Sequence, residues 1–321
     1  DLKVSEIGFG AWAIGGAAYA GEIPIGWGKT DDRTSIKALK KAFTLGVNFY
    51  DTADFYGLGH SEELIGKVFG NDPGVIIASK AGHKLNADDR IAIDYSYGYL
   101  IEACEKSLKR LKRETIDYYQ LHVAKVKDLE KGECIRAMKD LQQTGKIRYW
   151  GISLNTYDPE PEALCSFKHQ IGDGFQVVLN IINQKILPLL PEMSRKGYGI
   201  IARMPLQFGL LSGKFSAYTR FSPDDHRRER LNPQILEDAE VRLNPVRELA
   251  VKYKTEPYTF ALRFILSFPE ISTVIPGIRN EEQVVRNTND LRILEPDVMK
   301  KLQDLYTNDL ADFLDKIKKF G

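Results

Sequence analysis

The chain has 321 residues, 43% of them hydrophobic, and its 45 basic residues nearly balance its 44 acidic residues. The near-balance of charge gives no indication of a nucleic-acid partner. Three widely spaced cysteines offer no disulfide or metal-binding framework and are typical of a reduced compartment. We find neither a membrane span nor a signal peptide, and therefore expect a cytoplasmic protein that binds no membrane.

Short apolar runs recur along the chain between amphipathic stretches. Their hydrophobicity is continuous rather than alternating, which predicts strands buried on both faces, as in a parallel sheet. The predicted strands cover residues 6–14, 47–53, 74–80, 115–123, 147–153, 175–180, 199–204 and 272–277.

Helical patterns separate these strands. Clear cases cover residues 31–46, with a Thr30/Asp31 cap, and 97–112, 133–146 and 244–254. Eight strands alternating with helices predict a (β/α)8 TIM barrel that forms one domain over residues 1–321. The alternative is a doubly wound open sheet. That fold usually carries a complete glycine fingerprint, whereas Gly57-x-Gly59 is followed by Glu62 where the third glycine should stand.

Two long segments exceed what a minimal barrel needs. Residues 16–30 form a glycine-rich insertion after the first strand, and residues 210–234 form a long loop after the seventh. Loops of this length in a compact domain are usually functional. Residues 296–320 predict a C-terminal helix after the barrel is complete.

Four polar side chains stand at or just beyond the ends of consecutive strands. Asp51 ends the second strand and Tyr56 lies on the next turn, while Lys80 and His122 end the third and fourth. Each alone is an ordinary strand-end residue. Closure of a barrel would bring all four together at its C-terminal face, where barrel enzymes place their chemistry.

Together these four groups suit the chemistry of a carbonyl oxygen. A phenol has a pKa near 10, and a neighbouring ammonium favours the phenolate. We therefore expect Lys80 to lower the pKa of Tyr56, and Asp51 to hold Lys80 charged. His122 can donate a hydrogen bond to a substrate oxygen. No metal cluster is apparent.

Five motifs, in order along the chain, carry a resemblance to a known family. "DTADFYGLGHSEELIG", "IIASKAG", "DYYQLHV", "YWGIS" and "STVIPGIRNEEQ" are similar to aldo-keto reductase sequences from residue 6 to about 290. "WAIGG" and Arg203 resemble the bacterial and potassium-channel β-subunit-like branch. The resemblance implies a (β/α)8 barrel that transfers hydride between a nicotinamide cofactor and an aldehyde, ketone or alcohol. It makes Asp51, Tyr56, Lys80 and His122 the catalytic tetrad, and Gly57 and Gly59 shapers of the turn.

The resemblance also implies where a cofactor would bind. It points to NADP(H), because Arg279 suits a 2′-phosphate. It also allows NAD(H). Trp12, Ala13, Asp51, Ser153, Asn155 and Gln176 would surround the nicotinamide. Arg203 would stack on the nicotinamide through its planar guanidinium. Residues implied along the phosphates are Met204, Pro205, Leu206, Gly209, Leu211, Ser212, Lys214 and Arg227. Residues implied at the adenosine end are Gly277, Ile278, Arg279, Gln283 and Asn287.

The substrate is expected to be a small carbonyl compound, sugar-derived compounds included, bound in an aromatic pocket. We expect Trp12, Trp27, Phe55, Tyr56 and His122 to line that pocket. Two alternatives stay open. One is a regulatory subunit that binds NADP(H) and turns over slowly, as some relatives do. The other is a barrel aldolase with Lys80 as its Schiff-base nucleophile. Nothing in the sequence indicates an oligomeric state.

Overall fold

Eight parallel strands, paired in chain order, build one sheet. The structure is a computed structural model that describes residues 1–320. Every predicted strand is confirmed, with somewhat different ends. The strands are β1 (Phe9–Gly10), β2 (Phe49–Asp51), β3 (Ile76–Ala81), β4 (Ile116–His122), β5 (Ile147–Ser153), β6 (Gly174–Val178), β7 (Gly199–Arg203) and β8 (Thr273–Ile275).

The sheet closes on itself between its first and last strands. Gly8 N donates to Val274 O at 2.8 Å, and Val274 N donates to Glu6 O at 2.9 Å. Parallel bridges join Ile7 with Val274 and Gly10 with Gly277. The predicted (β/α)8 barrel is therefore confirmed, and the open doubly wound sheet is not formed.

Helices surround the barrel, and all those predicted from the sequence are present. The N-cap of the first is Asp31, whose carboxylate accepts from Thr34 N at 2.8 Å. None of the described helices combines the length and apolar character that a membrane crossing demands. The helices of residues 1–320 are α1 (Asp32–Thr44), α2 (His60–Val68), α3 (Tyr97–Leu111), α4 (Val126–Lys131), α5 (Glu133–Gln143), α6 (Glu160–His169), α7 (Leu190–Arg195), α8 (Arg227–Arg230), α9 (Pro233–Arg242), α10 (Asn244–Lys252), α11 (Pro257–Leu266), α12 (Glu281–Thr288), α13 (Pro296–Leu305) and α14 (Ala311–Lys318).

The predicted C-terminal helix is α13 and α14, joined by a π-helical turn at Tyr306–Leu310. The predicted loop 210–234 is only partly irregular, since it contains α8 and the start of α9. The insertion 16–30 contains a small ribbon of Tyr19–Ala20 and Ile23–Pro24. The insertion and the loop meet, because His226 N donates to Gly26 O at 3.2 Å.

Side chains inside the barrel lie in layers, because alternate residues of a strand point to the same face. The lower layer is an apolar cluster of Phe49, Ala78, Tyr118, Ile201 and Ile275. Two residues further along four of these strands stand Asp51, Lys80, Gln120 and Arg203. The apolar layer thus forms a floor beneath polar groups at the C-terminal ends of the strands.

Candidate active site

A buried ion pair lies at the centre of the polar layer. Lys80 is fully buried, and its Nζ donates to Asp51 Oδ1 at 2.7 Å and to Thr52 O at 2.6 Å. Burial opposes the charge on Lys80, but Asp51 and Tyr56 outweigh it, so the pKa of Lys80 lies above its ordinary value. A Schiff-base nucleophile needs an uncharged amine. The charged state of the Lys80 amine therefore opposes the aldolase alternative.

The second oxygen of Asp51 accepts two amide hydrogen bonds. Gln120 Nε2 donates to Asp51 Oδ2 at 3.2 Å, and Gln176 Nε2 donates to the same atom at 2.7 Å. Asp51 therefore connects side chains from β2, β3, β4 and β6. The sequence analysis missed Gln120. Its signal was the alternation of Tyr118, Gln120 and His122 along one strand.

Tyr56 stands on a turn that two glycines allow. The 3₁₀ turn Tyr56–Gly59 packs on the backbone of a second 3₁₀ turn, Ala13–Gly15. Gly57 has φ of 61°, and a Cβ there would lie 2.2 Å from Gly15 O. Only glycine fits this close approach. The prediction that glycines shape this turn is confirmed for Gly57, and helix α2 then begins at His60.

The phenol of Tyr56 keeps its proton more tightly than the sequence predicted. Lys80 Nζ lies 4.8 Å from the centre of the Tyr56 ring. Burial raises the pKa of Tyr56, Lys80 lowers it and Asp51 raises it, with a net shift above the ordinary value. The expected lowering by Lys80 is present, but the expected net decrease was wrong. Burial has a larger effect on the pKa of Tyr56 than Lys80 has, and the sequence does not reveal how deeply the ring is buried.

His122 is a neutral imidazole beside Tyr56. Their ring centres are 6.0 Å apart with the planes nearly perpendicular, and His83 lies 4.4 Å from His122 on another side. Burial lowers the pKa of His122 well below its usual range, with further contributions from His83, Lys80 and Arg203. A neutral imidazole has one N–H donor. His122 can therefore hydrogen-bond a substrate oxygen without carrying charge.

Two unpaired polar atoms lie near the ion pair, on residues that pair across β5 and β6. Ser153 Oγ and Gln176 Oε1 are buried, and neither has a hydrogen-bond partner within residues 1–320. Buried polar atoms are normally paired, so these two unpaired atoms fit a ligand. A hydroxyl and an amide oxygen suit a carboxamide. Asn155 differs, since its Oδ1 accepts from Tyr157 N at 2.9 Å in a local turn.

The segment after β7 has an unusual backbone. Met204 and Phe208 have φ of 55° and 56°, in the left-handed region, next to Gly209 at 103°. Arg203 Nη2 donates to Leu154 O at 3.0 Å, while its Nε is buried without a partner in the described chain. Among the other residues expected along the phosphates, Pro205 and Leu211 are buried, Leu206 and Ser212 are half-buried, and Lys214 is exposed.

Two guanidinium groups lie near each other at the outer edge of the site. Arg227 Nη2 donates to Asp225 Oδ2 at 2.5 Å, and Arg227 stands 4.6 Å from the ring centre of Trp27. Arg279 Nη2 donates to Lys29 O at 2.8 Å. Burial and then the charge of Arg227 lower the pKa of Arg279, whereas Asp225 and Asp224 raise it. Paired cations of this kind suit phosphate oxygens.

Gly277, Ile278, Gln283 and Asn287 are the other residues expected at the adenosine end. Gln283 Oε1 accepts from Arg279 N at 2.7 Å, which holds the arginine backbone. Ile278 and Asn287 are buried, so Ile278 presents only its backbone. A Cβ added to Gly277 would meet no atom within 4 Å. The space beside Gly277 is therefore open to a ligand.

A cluster of aromatic rings adjoins Arg227. Trp12 stacks on Tyr56 with ring centres 5.8 Å apart, and Trp27 meets Trp12 edge-on at 5.4 Å. The ring centres of Phe55 and His83 are 5.8 Å apart, and His83 in turn contacts His122. His226, from the loop after β7, stacks on Trp12 at 4.6 Å. The sequence analysis missed His226, because no local pattern shows where a long loop will fold.

The chain belongs to the aldo/keto reductase family, whose model matches residues 6–307. Aldo-keto reductase YhdN of Bacillus subtilis is 30% identical over 298 residues, covering 88% of this chain and 84% of that protein. A putative voltage-gated potassium channel subunit beta of Schizosaccharomyces pombe is 28% identical over 335 residues, covering 95% and 90%. Relatives therefore include both bacterial and channel-subunit-like proteins, as the sequence predicted.

Solved structures agree with the barrel. The glycerol dehydrogenase AKR11B4 of Gluconobacter oxydans superposes with a TM-score of 0.77 at 28% identity, covering 95% of this chain and 92% of that one. An aldo-keto reductase from Klebsiella pneumoniae in complex with NADPH superposes with a TM-score of 0.68 at 23% identity, covering 94% and 91%. The second likeness supports the fold.

Proposed function

We propose that this protein is an NADP(H)-dependent reductase that converts small aldehydes and ketones to alcohols. The observation that carries the proposal is the placement of Tyr56 between the Lys80 ammonium and the neutral imidazole of His122. Family membership makes the protein an oxidoreductase. We further propose that residues 1–321 act as one catalytic domain.

In this proposal Tyr56 donates the proton that the reduced oxygen needs. A bound nicotinamide would supply the hydride for the carbonyl carbon, and the carbonyl oxygen would take the phenolic proton of Tyr56. A raised pKa keeps that proton on Tyr56 until negative charge develops on the oxygen. Lys80 then stabilises the phenolate that remains, while Asp51 holds Lys80 in place. His122 donates a hydrogen bond to the same oxygen.

The cofactor assignment follows from the atoms left without partners and from the two cations. Ser153 and Gln176 would hold the carboxamide, with Trp12, Ala13, Asp51 and Asn155 beside the ring. Arg203 would stack on the ring, and the segment from Met204 to Lys214 would follow the phosphates. Arg227 and Arg279 would bind phosphate oxygens, with Arg279 at the 2′-phosphate that distinguishes NADPH from NADH. The NADPH complex of the Klebsiella protein supports the same choice.

The test is an NADPH titration by tryptophan fluorescence together with 4-nitrobenzaldehyde reduction. Tyr56→Phe should retain NADPH affinity and lose about 10²- to 10⁴-fold in kcat, because it removes a proton donor and little surface. Tyr218→Phe is the matched control, since Tyr218 is 86% exposed. A near-wild-type rate for Tyr56→Phe would overturn the assignment.

The same assay distinguishes the alternative. NADPH binding by the wild type without turnover of any aldehyde would favour a regulatory subunit, the role that the name of the channel relative suggests. Steady turnover would favour the reductase.

A further inference from the structure

The guanidinium of Arg203 is held by uncharged acceptors. Arg203 ends β7, and its side chain reaches past β6 to the segment that follows β5. Its Nη2 donates to Leu154 O at 3.0 Å and to Thr156 Oγ1 at 3.1 Å, and its Nη1 lies 3.0 Å from Met204 Sδ. Its Nε is buried without a partner among residues 1–320.

No carboxylate of residues 1–320 is paired with this cation. Burial lowers the pKa of Arg203, while Tyr56 and then Asp51 raise it. Asp51 is already paired with Lys80, at 2.7 Å. A guanidinium keeps its charge in proteins, so the two cations and the single carboxylate leave a net positive charge in the polar layer. Buried charges are normally paired, which makes this excess unusual.

The positive charge adjoins the atoms proposed to hold the nicotinamide carboxamide. Leu154 directly follows Ser153, and Leu154 N donates to Gln176 O at 2.8 Å. The carbonyl of the same residue accepts from Arg203. The backbone of Leu154 therefore connects the Arg203 guanidinium with the two residues whose Oγ and Oε1 atoms are unpaired.

The two redox states of the cofactor differ in charge at this position alone. The nicotinamide ring is neutral in NADPH and positively charged in NADP⁺, whereas the phosphates and the adenosine are the same in both. Like charges repel each other, and the repulsion is stronger in a buried site than in water. A site with an excess positive charge therefore discriminates against the oxidised ring.

We infer that Arg203 makes the site bind NADPH more tightly than NADP⁺ and thereby promotes release of the oxidised cofactor after each turnover. This inference rests on the proposed function, because it concerns the same cofactor site. Stabilising the reduced form makes hydride transfer on the protein less favourable. The benefit lies in the last step, because accumulated NADP⁺ then inhibits carbonyl reduction only weakly.

Isothermal titration calorimetry with NADPH and with NADP⁺, at one ionic strength, tests the inference. The ratio of the Kd for NADP⁺ to the Kd for NADPH cancels the contributions of the phosphates and the adenosine. We expect a wild-type ratio of about ten or more. Arg203→Met removes the charge from a side chain of similar length, and should lower this ratio about five- to tenfold, chiefly by tightening NADP⁺ binding.

A conservative variant and a control make the readout specific to charge. Arg203→Lys retains a positive charge without the planar fork and should keep most of the wild-type ratio. Arg195→Met removes an arginine of α7 whose side chain is 70% exposed, and should leave the ratio unchanged. Inhibition of 4-nitrobenzaldehyde reduction by added NADP⁺ should become stronger in Arg203→Met by about the factor that calorimetry gives.

Three results would overturn the inference. One is a wild-type ratio near one, and another is the same ratio in Arg203→Met as in the wild type. The third is an equal loss in Arg203→Lys and Arg203→Met, which would assign the effect to the planar shape of the guanidinium. Failure of the inference alone leaves NADPH binding and aldehyde reduction that depends on Tyr56, whereas failure of the proposed function removes both.

Discussion

Gln176 donates from Nε2 to Asp51 Oδ2 at 2.7 Å across the interior of the barrel. This bond orients the amide, because the nitrogen must face the carboxylate. Gln176 Oε1 is consequently left as a buried acceptor without a partner in the described chain. The ion pair that supports Tyr56 thus also sets which atom of Gln176 faces a cofactor.

The first prediction concerns that acceptor. Gln176→Leu should raise the Kd for NADPH about three- to tenfold, because the carboxamide loses one hydrogen bond. Tryptophan fluorescence titration measures the change. Gln143→Leu, an exposed position at the end of α5, is the control and should bind NADPH like the wild type. Unaltered affinity in Gln176→Leu would exclude the amide from the cofactor site.

A second prediction concerns the ion pair. Lys80→Met leaves the Asp51 carboxylate buried without its cation and should lower the free energy of unfolding by about 3–5 kcal/mol. Adding Asp51→Asn should recover much of this loss, because the carboxylate that Lys80→Met leaves unpaired is then gone. Glu102→Gln breaks an exposed pair with Lys106 and should cost no more than about 0.5 kcal/mol. Urea denaturation compares the variants, and similar costs for the buried and exposed pairs would contradict the argument.

The third prediction concerns acid stability. The unfolded chain protonates His226 below about pH 6.5, whereas burial and Arg230 keep it neutral in the fold down to about 3. The contribution of neutral His226 to the free energy of unfolding is therefore fully present above pH 6.5 and is lost as pH falls from 6.5 towards 3. Asp225 opposes this shift and Arg227 reinforces it.

Urea denaturation at pH 7.5 and pH 5 measures the effect. His226→Phe should lose less stability than the wild type over this interval, by on the order of 2 kcal/mol. His169→Asn, on the surface, is the control. Parallel losses in His226→Phe and the wild type would mean that His226 titrates alike in both states.

The fourth prediction concerns cofactor choice. Arg279→Ala should weaken NADPH binding about tenfold more than NADH binding, because only NADPH carries the 2′-phosphate. Arg286→Ala, in helix α12 and paired with Glu282, controls for the loss of a positive charge. Equal losses for the two cofactors in Arg279→Ala would show that Arg279 does not contact that phosphate.

Much of the fold could be predicted because its signals are local. A strand buried on both faces is a continuous apolar run, and all eight runs became strands of the barrel. Asp51, Lys80 and His122 stand at strand ends, so barrel closure alone was enough to bring them together. Reading β4 with a period of two would also have found Gln120.

The remaining features depend on contacts distant in sequence. His226 reaches Trp12 only because its loop pairs with the insertion at Gly26 and Trp27. The pKa of Tyr56 depends on burial, which outweighs the lysine that the sequence shows. No local sequence pattern encodes the position of His226 or the pKa of Tyr56.

The seam between β1 and β8 has a consequence for the chain as it is synthesised. All four proposed catalytic side chains belong to residues 51–122, yet β1 meets its second neighbour only when residues 274–278 have left the ribosome. Until then both margins of the growing sheet expose unpaired backbone groups, which favour association between chains. Because β8 is the last strand to be synthesised, we expect chains truncated before it to accumulate as aggregates.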